Sequence, residues 1–163
     1  MYRMTEEDFK AHNERILKQG QEANKPKRTK RIEKPNFGYQ YKSEHDIQVT
    51  FIKFLALLEL KEPVLKLGFA VPNGGMRHAA VAGKLKAEGV KSGVPDWHLP
   101  VARKIFKGLW IEFKFGKGKL SDNQVEFIAA LRAEGHHVEV CYSAEEALAQ
   151  VMRYLDIEHK FIL

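Results

Sequence analysis

Residues 109–142, LWIEFKFGKGKLSDNQVEFIAALRAEGHHVEVCY, decide the fold. Leu109, Ile111, Phe113 and Phe115 alternate with Trp110, Glu112 and Lys114, a period of two that marks a strand. The alternation puts Glu112 and Lys114 together on the face opposite the apolar residues. Ser121 with Gln124 then makes a capping box, Val125, Ile128 and Leu131 recur at helical spacing toward a core, and Gly135 ends the helix. A second strand follows, in which Val138, Val140 and Tyr142 alternate. Strand, helix, strand in so short a span requires a parallel pair joined by a right-handed crossover, which makes the fold α/β. After it, Ser143 with Glu146 opens a last amphipathic helix carrying Ala147, Leu148, Val151, Met152 and Leu155.

Upstream, Ser43 is an N-cap followed by Glu44 and Asp46, and Ile47, Phe51, Phe54, Leu55 and Leu58 follow at core-helix spacing. Leu65 to Val71 reads as a strand, PNGG at 72–75 as a tight turn, and Arg77 to Glu88 as a helix stopped by Gly89. The loop KSGVPD leads into two strands. If residues 96–112 form a hairpin symmetric about Lys104, Asp96 lies across from Glu112, with Cβ atoms about 4.5 to 5.5 Å apart.

The chain has 163 residues, enough for one domain and a tail. We read residues 1–42 as a basic, partly flexible N-terminal extension and residues 43–163 as the folded domain. Residues 5–19 have the pattern of a short helix, and Lys25 to Lys34 holds six basic residues with a proline inside and another just after. That stretch, with Lys25, Lys27, Arg28, Lys30 and Arg31, is a candidate DNA-binding linker or simply a solvated tail. Net charge is +6, and residues 77–119 contain ten basic groups against Glu88, Asp96 and Glu112 alone as acids. Polyanionic partners are favoured. Mean hydropathy is −0.39, there is no long apolar run, and Glu6, Glu7 and Asp8 stand where an export signal would be basic and then apolar. A cytoplasmic protein of a bacterial or virus-infected cell, with no membrane association, is expected. Cys141 is the single cysteine, which excludes an internal disulfide and a cysteine-based zinc site.

The pattern acid, any residue, lysine occurs at Asp8, Glu59, Glu112 and Glu158. Only the third copy lies on an alternating strand and follows a Pro-Asp pair, Pro95-Asp96. Two facing carboxylates repel unless one is protonated or a cation lies between them, and hard oxygen donors suit Mg²⁺ or Mn²⁺. Lys114, on the same face, can orient or deprotonate a water and offset charge developing on a phosphate. The alternative from these residues alone is a surface hairpin with a merely polar outward face.

EHDIQ at 44–48, PNGGMR at 72–77, GVPD at 93–96, IEFK at 111–114, SDNQ at 121–124 and VEVCYSAEEAL at 138–148 occur in one order. Together they resemble the virus-type replication-repair nuclease (VRR-NUC) domain, a branch of the PD-(D/E)XK nuclease superfamily, over about Ser43 to Ala149. The resemblance implies a restriction-endonuclease-like core: a mixed central sheet flanked by helices, here with the 77–88 helix inserted after the first strand. It implies a metal-dependent deoxyribonuclease of DNA repair or replication, leaving 5′-phosphate and 3′-hydroxyl ends. Asp96, Glu112 and the backbone carbonyl of Phe113 would bind Mg²⁺, with Mn²⁺ able to substitute, and Lys114 would be the catalytic lysine. Glu44 resembles the additional acid at the metal site, or else complements its helix dipole. Gln124 resembles the family's glutamine among the catalytic groups, or else serves only the capping box. Arg77 would contact phosphate or steady the PNGG turn, and Lys117 and Lys119 would meet DNA. His98 is a metal ligand or a structural histidine beside a strand proline.

Small stand-alone members of the family look like dimers that cut four-way junctions. Branched DNA and a homodimer are therefore the expected substrate and assembly. The other readings are a non-catalytic DNA-binding protein on a nuclease scaffold, disfavoured by its intact repulsive acids, and a sequence-specific restriction-type endonuclease. The latter is disfavoured because no helix-turn-helix or separate recognition unit is legible.

Overall fold

A computed structural model of the chain describes residues 39–72 and 79–157. Along the chain run α1 (Glu44–Leu58), a 3-10 helix (Pro63–Leu67), β1 (Phe69–Ala70), α2 (Ala79–Ala87), β2 (Trp97–Leu99), β3 (Leu109–Phe113), α3 (Asp122–Ala133), β4 (His137–Cys141) and α4 (Ala144–Leu155). The strands form one sheet in the order β1-β2-β3-β4. The first two pairings are antiparallel and β3 with β4 is parallel. This is the mixed sheet flanked by helices expected of a PD-(D/E)XK-like α/β core.

Local chemistry accounts for most element ends. Ser43 is extended and its hydroxyl accepts from the Asp46 N–H, satisfying a donor that the first turn of α1 would otherwise leave unpaired. Ser121 and Gln124 form a complete capping box on α3, and Ser143 caps α4 through the Glu146 N–H. Gly89 takes φ +93 after α2, and the Val90 N–H returns to the Leu85 carbonyl, the bond pattern of a left-handed helix stop.

One face of the sheet carries the main core. Trp97, Leu99, Leu109, Ile111, Phe113 and Cys141 point to it, and α1 and α4 cover it with Ile47, Phe51, Leu55, Ala144, Ala147, Leu148, Val151 and Met152. Phe51 is its centre, edge-on to Trp97 at 5.2 Å and tilted against Phe113 at 5.4 Å. Fully burying one such side chain contributes about 1.5 to 3 kcal/mol. The phenol of Tyr41 donates to the buried Glu145 carboxylate at 2.8 Å, linking the start of α1 to α4. The opposite face holds Glu112 and Trp110, with α3 laid against β4.

Three expectations and one alternative reading need correction. Leu65 to Val71 is not one strand: Pro63 presets a helical turn, Leu65 is buried within a 3-10 helix, and only Phe69–Ala70 pair with β2. The face of β3 opposite the aliphatic residues is not a solvated polar surface, because Glu112 and Lys114 are buried while Phe115 is 42% exposed beyond the strand. Val125 does not face the core; it is exposed, and Ile128 is the α3 residue that is buried. Finally, the hairpin is not symmetric to its tip. Arg103 pairs with Phe106, which leaves three residues on one side and two on the other before Leu99↔Leu109, so the first strand bulges.

The readings of residues 5–19 as a helix and of Lys25 to Lys34 as a linker lie outside the described residues, as does the PNGG turn after Pro72. Among the described residues, no helix is long and apolar enough to cross a membrane.

Candidate active site

Strand register brings the carboxylates together. Trp97↔Ile111, His98↔Trp110 and Leu99↔Leu109 are Cα partners, and one step further along the same register Asp96 comes opposite Glu112. The chain bends at Asp96, and its Oδ2 accepts from the Phe113 N–H at 2.8 Å. A side chain thus satisfies a β3 donor at the point where β2 begins.

The bend is held from α3. Gly93 has φ +86, and a Cβ there would stand 2.3 Å from the Asn123 carbonyl oxygen. Asn123 Nδ2 also donates to Ser92 Oγ at 3.0 Å. The GVPD loop is therefore seated on the first turn of α3, and only a residue without a side chain allows that approach.

Lys114 reaches back over its own strand. Its Nζ donates to Glu112 Oε1 at 2.5 Å and to the Phe113 carbonyl at 3.0 Å, and lies 3.6 Å from Glu44 Oε1. Gln124 Nε2 donates to the same Glu112 Oε1. Glu112 Oε2, by contrast, is buried and has no hydrogen-bond partner. An unpaired buried carboxylate oxygen is costly unless something cationic or protic meets it.

The titration of these groups follows from that crowding. Burial raises Glu112 to about 7, Asp96 adds to the rise, and the hydrogen bond and charge of Lys114 oppose it. Burial also raises Asp96, against the Phe113 N–H and Lys114. Burial alone would lower Lys114, but Glu112, Glu44 and Asp96 together outweigh it and the net shift is upward, keeping the ammonium charged.

Of the residues singled out from the sequence, Asp96, Glu112, the Phe113 carbonyl, Lys114, Gln124 and Glu44 are brought to one place. Glu44 is more exposed and faces the Lys114 ammonium. Among the described residues, no group of three or more His, Cys, Asp or Glu side chains is arranged to hold a metal ion. The Lys114 ammonium is instead shared between Glu112 and Glu44. Gln124 satisfies both of its sequence readings at once, capping α3 and contacting Glu112. Lys117 and Lys119 are exposed on the turn after β3. At Gly118 in this turn, a Cβ would lie 3.5 Å from both Glu44 Oε1 and the Lys114 side chain. Arg77, Lys25, Lys27, Arg28, Lys30 and Arg31 lie outside the described residues.

His98 is buried, its Nδ1 hydrogen-bonds the Leu109 carbonyl at 3.1 Å, and its ring stacks on Trp110 at 3.8 Å. Burial lowers its pKa. These contacts make it a packed structural histidine. Sequence reasoning missed the Ser92, Gly93 and Asn123 contact; SDNQ and GVPD were both conspicuous, but nothing in either showed that they touch.

The VRR-NUC domain family matches residues 42–145 of the chain, well over half its length. A solved structure described as a VRR-NUC domain protein is similar at 25% identity and a TM-score of 0.61, covering 73% of this chain and 93% of its own. No curated protein matches. The chain belongs to the VRR-NUC family, and its function is accordingly of the nuclease type, in the processing of DNA.

Proposed function

We propose that the chain is a Mg²⁺-dependent, structure-selective DNA endonuclease, with Mn²⁺ able to substitute, and that it hydrolyses phosphodiester bonds in branched DNA. The observation that carries this reading is the partnerless, buried Oε2 of Glu112, a residue that the strand register sets opposite Asp96. Hard oxygen donors of this kind fit Mg²⁺, which is bound through one or two carboxylates plus waters and substrate phosphates rather than by an all-protein cage. The absence of a three-carboxylate cluster among the described residues is therefore compatible with it.

Asp96, Glu112 and the Phe113 carbonyl would hold the ion, with Glu44 at the edge of the set. A bound Mg²⁺ supplies polarisation of the scissile phosphate and stabilisation of the leaving oxygen. Lys114, kept protonated by its acidic neighbours, serves as a fixed positive charge and hydrogen-bond donor beside the phosphate, where negative charge grows in the transition state. That favours orienting a water over taking its proton. Lys117 and Lys119 meet flanking phosphates and place the strand without reading bases.

A single constellation cuts one strand at a time. Paired incisions across a four-way junction call for two subunits, and a two-fold dimer presents its basic surface in the symmetry of the junction. The test is a panel of labelled four-way junctions, flaps and linear duplexes, without metal and with Mg²⁺ or Mn²⁺, alongside light scattering with and without junction DNA. Expected are Mg²⁺-dependent paired cuts in the junction by a dimer. A monomer that makes only unpaired nicks in flaps removes the junction and dimer reading; no cleavage with either metal removes the nuclease reading.

A further inference from the structure

Glu112 is treated asymmetrically by its surroundings: Oε1 receives two donors, Lys114 and Gln124, while Oε2, buried, receives none. Which way the Gln124 carboxamide points decides this, since its two ends are alike in shape and opposite in hydrogen-bonding sense. Ser121 removes the choice. Its backbone N–H, which can only donate, lies 2.9 Å from Gln124 Oε1, so the amide nitrogen must be turned to Glu112. The Ser121 hydroxyl is 3.3 Å from the same oxygen and accepts from the Gln124 N–H at 3.4 Å, closing the capping box.

We propose that Ser121 and Gln124 form a positioning clamp that commits Glu112 Oε1 to the protein and leaves Oε2 as the oxygen offered to the cation. The clamp explains why this position takes glutamine. Glutamate would close a capping box equally well, but it would turn a second carboxylate on Glu112 where an amide donor is needed. The helix cap thereby sets a functional geometry: the orientation of Gln124 is fixed by the first turn of α3, and the orientation of Glu112 is fixed by Gln124. Neither Ser121 nor Gln124 needs to touch substrate.

This inference rests on the proposed cation site, and its test separates the two. Mn²⁺ affinity of the DNA-free protein is measured by calorimetry, with amide exchange at residue 121 followed by NMR, for wild type, Gln124→Met, Ser121→Ala and Ser121→Pro. Ser121 has φ −74, which proline accepts. Loss of an outer partner of a metal ligand lowers affinity by about 10- to 100-fold, and that loss is expected for Gln124→Met and Ser121→Pro. Ser121→Ala keeps the N–H and should stay close to wild type in affinity even though it loses the cap hydroxyl and some stability. In Gln124→Met the Ser121 amide should exchange at least about tenfold faster, by analogy with other lost hydrogen bonds of about 1.4 kcal/mol. Unchanged Mn²⁺ affinity in Gln124→Met overturns the proposal, as does equal affinity in folded Ser121→Pro and Ser121→Ala. If Ser121→Pro does not fold, Gln124→Met decides. If wild type binds no Mn²⁺, the cation reading fails, and unaltered exchange at Ser121 in Gln124→Met would then remove the clamp as well.

Discussion

Lys114 donates from its ammonium to Glu112 Oε1 at 2.5 Å, and the same nitrogen faces the Phe113 carbonyl and Glu44 Oε1. Three of the four groups proposed to hold a cation thus already meet a positive charge. The lysine and the proposed ion would draw on the same residues, with Lys114 on Glu112 Oε1. Lys114→Ala should abolish cleavage while keeping Mn²⁺ binding, because lysine is not a ligand. It should also lower metal-free stability by up to about 3 to 5 kcal/mol, the cost of breaking a buried pair, less whatever Glu112 recovers by taking up a proton. The rise in Tm on adding Mn²⁺ should therefore be larger in the variant than in wild type. A loss of Mn²⁺ affinity as large as that of the acidic variants would contradict this division of roles.

The pH dependence of the metal-free protein follows from Glu112. Its folded-state pKa, about 7, lies above its ordinary value of 4.5 because burial and Asp96 disfavour the charge. The stability tied to this group is therefore fully present below about 4.5 and is lost as pH rises through about 7. Asp96 is shifted in the same direction. Chemical denaturation in EDTA across this window should show stability falling with pH, and Glu112→Gln should flatten the slope. A wild-type stability that rises over the window would refute the assignment.

Gly93→Ala tests how the Pro-Asp pair is held. At φ +86, and with a Cβ 2.3 Å from the Asn123 oxygen, alanine is both strained and blocked. We expect destabilisation of about 1 to 3 kcal/mol, with the loop lifted from α3 and cleavage reduced beyond what the fall in folded fraction explains. A fully folded Gly93→Ala with wild-type cleavage would mean that the contact does not set the position of Asp96.

Much of this architecture was legible because it rests on local rules. Alternation marks β3, Ser121 with Gln124 marks the start of α3, and the spacing from Asp96 to Glu112 gives the register that Trp97↔Ile111 and Leu99↔Leu109 show. Tertiary contact decided the rest. Val125 fits the helical period yet is exposed, and of the apolar positions on α3 only Ile128 is fully buried. Burial of Glu112 and Lys114 could not be read from an alternating strand, whose polar face looks the same whether it meets water or other charged groups. Gly93 against Asn123 and Tyr41 against Glu145 join segments far apart in the chain, and no periodicity announces them.

The N-terminal extension gives an independent prediction. Deleting residues 1–38, which spares the Tyr41 bond to Glu145, should weaken DNA binding and leave the folded domain intact. The six basic residues from Lys25 to Lys34 can neutralise up to about six phosphates, so the logarithmic salt slope on duplex DNA should become shallower by as much as ~5. An unchanged slope would make the segment a solubilising tail only.

Asp96 and Glu112 are proposed to work as a pair in holding the ion that cleavage requires. The most direct measurement is cleavage of labelled junction DNA in Mg²⁺ by Asp96→Ala and Glu112→Ala, with folding and DNA binding in EDTA checked on the same preparations. Each single substitution should remove at least about 99.9% of the rate, equivalent to roughly 4 kcal/mol of barrier, while fold and metal-free DNA binding persist. Cleavage near the wild-type rate by either folded variant would contradict it.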